Sequence, residues 1–304
     1  MCTALTMNMN GFYCGRTLDV DGDFGQAVIT IPQNFDFGFK SEYAVMGVAL
    51  CVDGYPLLFD GINENGLFMA GLRFGEAVYF EPNPQKTNLA PFEFIPYILG
   101  LCENVSDARA MLKNINIEAR DFSPSMPATP LHWIIADKSD CITVEQSADG
   151  LKVYENNVGV LTNSPPFPFQ IYNLNNYMSL TPKPADNRFS KEIPLYNHSF
   201  GMGALGLPGD LSSSSRFVRS AYYKHNILPE PKAEKTFFKV LDSCFQPKGL
   251  TVTADGTLEY TAYTTCYDTK NGICYYKNYT GDVEEYSFQN KKAHCRERLA
   301  LRQL

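Results

Sequence analysis

The second residue of this chain is a cysteine, in the opening stretch MCTALTMNMN. A small residue behind an initiator methionine invites removal of that methionine, which would leave Cys2 as the mature N-terminus with a thiol and a free α-amine on one residue. A thiol titrates near ~8.5 and an α-amine near ~7.7–8.0, so around neutrality the amine can take the thiol proton without a histidine. Small residues follow the initiator in many proteins, so Cys2 alone proves little. The stretch CGRTLD then brings Arg16 and Asp19. A cation beside the sulfur favours thiolate and a carboxylate can hold the α-ammonium, although such a pair is also an ordinary strand-end ion pair. In VGVLTNSPPF, Asn163 ends a strand ahead of two prolines, a rigid place for an amide that donates to an oxyanion. GLPGDLSSSSRFVRS sets Arg216 at the start of a helix after serines that can cap it. Each fragment has a structural explanation, but their order along the chain does not arise easily by chance.

Other motifs carry less. The literal G-x-G-x-x-G of GMGALG (Gly201, Gly203, Gly206) lies in a loop rather than between strand and helix, which argues against a dinucleotide site. His132, His198, His225 and His294 are far apart and show no metal-ligand spacing. A net charge of -7, with no basic run, argues against a nucleic-acid surface. The nine cysteines are dispersed and odd in number, which fits neither a disulfide framework nor a zinc site. With no basic start followed by an apolar segment and no long apolar run, a reducing cytoplasm is expected, where a thiol stays available. No cofactor, metal, nucleic acid or membrane is expected as a partner.

The elements that must position these residues follow from periodicity. Strands are expected at ALTMNM, FYCGRTLD, AVITIPQ, YAVMGVALC, YPLLFDGIN and GLFMAGLRF, punctuated by Gly, Asn, Asp and Pro. A helical stretch follows from Pro91 to Ile115, kinked by Pro96 and with Ser106 as a cap before Ala108, Met111, Leu112 and Ile115. Strands resume at HWIIADK, CITVEQS, LKVYEN and GVLTNS. A loop-rich stretch from Pro165 to Ser215 leads to helical SRFVRSAYYKHNIL and AEKTFFKVLDSCF, and two final strands are LEYTAYTTCYD and GICYYKNY. Antiparallel-looking strands with helices in two blocks predict one α+β layered domain over residues 1–304, with no linker or repeat.

Six segments together, MCTALT, GRTLD, INENGLFMAGL, LHWIIAD, NNVGVLTNSP and GLPGDLSSSSRFVR, resemble the choloylglycine hydrolase family, which contains bile salt hydrolases and penicillin V acylases. The resemblance runs from Cys2 to about Tyr276. It implies the N-terminal nucleophile hydrolase fold, a four-layer αββα sandwich of two antiparallel sheets. It also implies that Met1 is removed, that Cys2 is the nucleophile, that Arg16 and Asp19 flank it, that Asn163 is the oxyanion-hole amide and that Arg216 completes the site. The departure is in MAGLRF. Arg73 stands where bile salt hydrolases usually carry Asn and penicillin V acylases Tyr, a position whose backbone N–H is the family's second oxyanion donor. Arg73 is expected either to meet the acidic end of a substrate or to turn outward and pair with a carboxylate such as Glu76.

The implied activity is hydrolysis of the amide in glycine- or taurine-conjugated bile salts. GMGALGLPGD resembles a segment that bile salt hydrolases project towards a neighbour in a tetramer, so a homotetramer is expected. The alternative within the same chemistry is an acylase for penicillin V or other N-acyl amides, including acyl-homoserine lactones. The alternative outside it is a non-catalytic binder of apolar ligands on the same fold.

Overall fold

The computed structural model describes residues 1–289. The chain opens with the hairpin β1 (Cys2–Asn8) and β2 (Phe12–Val20), then runs through β3 (Ala27–Ile31), β4 (Val45–Val52), β5 (Tyr55–Asn63) and β6 (Phe68–Arg73). A short β7 (Thr87–Leu89) precedes helices α1 (Pro91–Leu101) and α2 (Val105–Leu112) and its parallel partner β8 (Ile115–Ile117). Next come β9 (Leu131–Ala136), β10 (Cys141–Ser147), β11 (Gly150–Glu155) and the two-residue β12 (Val160–Leu161). Helices α3 (Phe167–Asn173), α4 (Ser213–Asn226) and α5 (Ala233–Asp242) lead to β13 (Thr251–Val252), β14 (Leu258–Asp268), β15 (Ile273–Asn278) and β16 (Val283–Ser287).

These strands form two antiparallel sheets, in the orders β12-β1-β2-β14-β15-β16, with β13 on β14, and β11-β10-β9-β6-β5-β4-β3. Successive side chains of a strand face opposite ways, so every strand serves two layers. Met46, Ile62, Phe68, Ala70 and Ile134 of the second sheet point inward to Ala4, Leu18 and Tyr263 of the first. Their neighbours Met69, Trp133, Ile135 and Val144 point outward, where Phe94, Ile98 and Leu99 of α1 and Val105 and Ala108 of α2 cover them. On the other outer face, Leu5 and Cys266 pack under Phe217 of α4 and Phe237 and Leu241 of α5. α5 buries Ala233, Thr236, Phe237, Val240 and Leu241, the stripe that 3.6-residue periodicity makes. The layers are therefore α, β, β, α. Among the described residues no helix is long and apolar enough to cross a membrane.

Several local expectations are corrected. Asn104, not Ser106, caps α2, its Oδ1 accepting from the Asp107 N–H at 3.0 Å. The stretch from Pro91 to Ile115 is two helices, with Pro96 inside α1, and Ile115 begins β8 instead of continuing the helical repeat. The loop-rich stretch contains α3, and the end of the chain carries β16 in addition to the two strands expected. GMGALG forms a short 3₁₀ turn over Met202–Ala204 within the loop. A Cβ on Gly203 would lie 1.9 Å from the Lys183 carbonyl oxygen, so this glycine is explained by close backbone packing. His294 and Cys295 lie outside the described residues.

Candidate active site

Cys2 is the first residue of β1 and is 4% exposed. The unprocessed chain adds one rung before it. The Asp19 N–H donates to the Met1 carbonyl at 2.8 Å, and the Met1 amine donates to the Asp19 carbonyl at 2.5 Å and to Glu259 Oε2 at 2.6 Å. Bonded and non-bonded pairs alternate along an antiparallel ladder, so the next pair, Cys2 and Leu18, directs its backbone groups away from the partner strand. The Cys2 N–H accordingly donates to Asn163 Oδ1 at 2.9 Å, and the Cys2 carbonyl accepts from Arg216 Nη1. That N–H belongs to the Met1–Cys2 peptide and marks the place of the α-amine in a chain that begins at Cys2.

Arg216, fully buried in the first turns of α4, also donates to Thr3 Oγ1 at 2.6 Å, to Asn163 Oδ1 at 2.7 Å and to the Leu211 carbonyl at 3.0 Å. Asn163 follows β12 and is held from several sides. Its N–H donates to Ser213 Oγ at 2.8 Å, and Nδ2 donates to the Arg73 carbonyl at 2.8 Å, leaving the second Nδ2 hydrogen unspent.

The end of β6 supplies the other backbone donor by the same alternation. The Phe74 N–H donates to the Pro130 carbonyl at 2.9 Å, so Arg73 and Leu131 form the non-bonded pair and the Arg73 N–H points away from β9. On that side β5 has already parted from β6, their last pair being Asp60 and Ala70. Arg16 enters the gap from β2, its Nη1 donating to the Gly71 carbonyl at 2.5 Å and the Phe59 carbonyl at 3.3 Å. Its Nη2 is buried and bonds no protein atom among the described residues. Burial alone would lower the Arg16 pKa, but the neighbouring acidic groups of Cys2, Tyr263, Asp60 and Asp19 raise it on balance. The guanidinium stays charged.

Asp19 is held by donors from three other residues. Its carboxylate accepts from Thr261 Oγ1 at 2.7 Å, Gln246 Nε2 at 3.0 Å and Thr17 Oγ1 at 3.3 Å, and its backbone carbonyl, not the carboxylate, receives the terminal amine of the unprocessed chain. Burial pushes the Asp19 carboxyl pKa up, and Arg216, the terminal amine, Thr261 and Arg16 oppose that shift. Arg73 is exposed, and no carboxylate pairs with it among the described residues. Glu76 is bonded by Ser164 Oγ instead, at 2.5 Å.

Met1, Cys2, Arg16 and Arg73 all line one cavity of about 790 Å³, whose walls are largely apolar, with Leu18, Phe59, Phe92, Ile95, Phe122 and Met126 among them. This is the size and character of small-molecule sites. The structure therefore brings Cys2, Arg16, Asp19, Asn163, Arg216 and Arg73 together. Sequence reasoning missed Glu259 and Thr261 of β14, Gln246 before β13 and Ser213 of α4, since nothing local marks a side chain that reaches a distant strand. Five other thiols are shifted by burial. Burial pushes those of Cys102 and Cys141 up to about 12, and those of Cys14, Cys266 and Cys274 well above the ordinary range.

Residues 2–300 match the family described as linear amide C-N hydrolases, choloylglycine hydrolase family. A bile salt hydrolase/transferase of Lactiplantibacillus plantarum is 42% identical over 289 residues, covering 92% of this chain and 89% of that protein. A conjugated bile acid hydrolase of Lactobacillus gasseri is 40% identical, covering 93% and 94%. Among solved structures, the C2A mutant of the conjugated bile acid hydrolase from Clostridium perfringens superimposes with a TM-score of 0.88 at 32% identity, covering 97% of this chain and 95% of that one. The penicillin V acylase of Agrobacterium tumefaciens shares the fold, with a TM-score of 0.73 at 22% identity over 95% and 87% of the two chains. Sequence and fold agree, and the chain belongs to the choloylglycine hydrolase family of linear amide C–N hydrolases.

Proposed function

We propose that the mature chain begins at Cys2 and hydrolyses the amide joining a bile acid to glycine or taurine. The observation that carries this reading is the largely apolar cavity lined by both Cys2 and Arg73, a cation with no carboxylate partner among the described residues. A conjugated bile salt has the matching form, a bulky apolar acyl group ending in an amide and then an anion. The named activities of relatives at 40–42% identity point the same way.

In the reaction, the Cys2 α-amine takes the thiol proton and the sulfur bonds to the amide carbon. The second Nδ2 hydrogen of Asn163 and the Arg73 N–H stabilise the oxyanion. On collapse the C–N bond breaks and the α-ammonium passes its proton to the departing amine. Water, deprotonated by the same amine, then attacks the thioester, the C–S bond breaks and the proton returns to sulfur. An amine that donates one hydrogen to Asn163 Oδ1 keeps its lone pair for the thiol proton, which gives the bond from residue 2 to Asn163 its purpose. The peptide nitrogen of an unprocessed chain has no such lone pair, so removal of Met1 is required. Arg16, buried beside Cys2 with Nη2 unpaired, favours thiolate.

The test is the intact mass of the purified protein together with glycine and taurine release from a conjugate panel, for wild type and Cys2→Ala. A mass lacking Met1 and release that vanishes in Cys2→Ala are expected. Full activity in Cys2→Ala, or in protein that keeps Met1, removes the mechanism, and cleavage of penicillin V alone replaces the substrate. Absence of any turnover by a correctly processed wild type supports the non-catalytic binder. A homotetramer working in the cytoplasm completes the proposal. It is supported by the apolar residues that the loop before α4 leaves exposed, Phe189, Tyr196, Phe200 and Leu205, and light scattering that finds a monomer removes it.

A further inference from the structure

His132 is fully buried at the start of β9, and Glu145 of β10 is 3% exposed opposite it. The strand register pairs Val144 with Trp133, so Glu145 and His132 face each other one step further along. His132 Nδ1 lies 3.0 Å from Glu145 Oε1, and His132 Nε2 lies 2.8 Å from the Thr162 carbonyl oxygen. A carbonyl only accepts, so Nε2 carries a hydrogen. Nδ1 and Oε1 then share one further proton, whichever atom holds it. Glu145 Oε1 also accepts from the Phe167 N–H at 2.9 Å, which fixes the start of α3. The ring of His132 lies parallel to that of Phe74, with centroids 4.6 Å apart and planes at 3°.

Each contact is one residue from an oxyanion donor. Thr162 precedes Asn163, and Phe74 follows Arg73. Gln170 of α3, whose start Glu145 anchors, donates to the Asn163 carbonyl at 3.3 Å. The two donors come from different sheets, Arg73 from the end of β6 and Asn163 from beyond β12. Besides the bond from Asn163 Nδ2 to the Arg73 carbonyl and the bonds of Ser164 Oγ to the Gly75 N–H at 3.0 Å and to Glu76 Oε2 at 2.5 Å, His132 touches both limbs and does so from the buried side.

We propose that His132 and Glu145 are positioning residues that hold the two limbs of the oxyanion hole at a fixed separation across the sheets. This rests on the amidase reading above. The pair touches neither the cavity nor Cys2, so it acts through Asn163 and Arg73, and its main effect falls on the oxyanion rather than on the Cys2 nitrogen that Asn163 Oδ1 also accepts from. Oxyanion donors must meet the oxyanion within a few tenths of an ångström, and a carbonyl released at Thr162 lets Asn163 drift by more than that.

The experiment compares wild type with His132→Phe, which keeps the ring on Phe74 but loses both hydrogen bonds, and His132→Gln, whose amide can still donate to Thr162. Kinetics on a conjugated bile salt are measured beside the rate at which iodoacetamide alkylates Cys2. In His132→Phe, kcat should fall on the order of ten- to a hundred-fold with KM and the alkylation rate unchanged within about three-fold. His132→Gln should recover most of the lost kcat. Glu145→Gln, which keeps the shape and removes the shared-proton partner, should lower kcat by several-fold and supports the proposal if His132→Phe does not fold. Full kcat in His132→Phe, or a fall matched by slower alkylation or a raised KM, overturns the positioning role. If wild type, its Cys2 alkylated normally, releases no amine from any conjugate, the amidase reading fails and this proposal with it.

Discussion

Replacing Asn163 with Ala separates two functions that one side chain performs. As donor, its Nδ2 serves the oxyanion, and removing one such donor costs on the order of a hundred- to a thousand-fold in kcat, about 2.7–4 kcal/mol. As acceptor, its Oδ1 takes the Cys2 N–H at 2.9 Å and Arg216 Nη2 at 2.7 Å in the buried interior. Leaving a buried donor without an acceptor costs about 1–3 kcal/mol, more for a charged one, so the fold should lose roughly 2–5 kcal/mol. The control is Thr3→Val, which removes a single acceptor from Arg216 and touches no oxyanion donor. It should lose about 1–3 kcal/mol of stability and keep kcat within a few-fold. Urea unfolding gives the stabilities, and initial rates across substrate concentration give kcat and KM. If Asn163→Ala keeps kcat but raises KM, the amide binds the ground state only and the oxyanion assignment is wrong. If Thr3→Val loses kcat as steeply as Asn163→Ala, the effect travels through Arg216 and the donor role is unsupported.

Arg73→Asn should keep the backbone N–H and therefore turnover, with a changed preference between glycine and taurine conjugates. Arg73→Glu should lose most activity by repelling the substrate anion; unchanged constants in both variants would show that Arg73 takes no part in recognition. Lys224 of α4, half-buried with Nζ donating to the Val158 carbonyl at 2.6 Å, has its pKa lowered to about 8, chiefly by desolvation. The unfolded chain then binds more protons than the folded one from about pH 8 to about 10.5, so this lysine makes stability rise with pH across that window. The thiols and tyrosines whose pKa values burial raises act in the opposite direction above about 9. The measurable quantity is the difference from Lys224→Met in urea unfolding, which should grow in favour of wild type as pH rises; a difference that does not change with pH would mean that Lys224 stays charged and solvated.

The site was largely legible because its residues sit in short, ordered motifs. Cys2, Arg16 and Asn163 each lie on or beside a short buried strand, and Arg216 follows a serine run that starts a helix. The residues that support them were not legible. Glu259 and Thr261 belong to β14 and Gln246 precedes β13, and nothing local marks a side chain that reaches a distant strand. The place of Asp19 was legible beside Arg16, whereas the donors to its carboxylate, Thr261 and Gln246, come from far along the chain. β16 escaped because VEEYS, an edge strand that is mostly exposed, lacks an apolar alternation. The cap of α2 was misjudged by two residues, as both Asn104 and Ser106 are chemically able to serve.

The strand that bears the nucleophile has a parity. Its odd members Thr3, Leu5 and Met7 face the helices and its even members Cys2, Ala4 and Thr6 face the other way, so one residue inserted or deleted between Cys2 and Asn8 would slide the ladder by one and turn the thiol out of its cavity. Additions before Cys2 leave that parity intact but meet a different obstacle, since Met1 already lines the cavity and its amine is enclosed by Glu259 and Asp19. A purification tag placed at the front of this protein would yield a well-folded and silent molecule. The same tag followed by a protease site that cuts immediately before Cys2 would turn maturation into an event the experimenter can time.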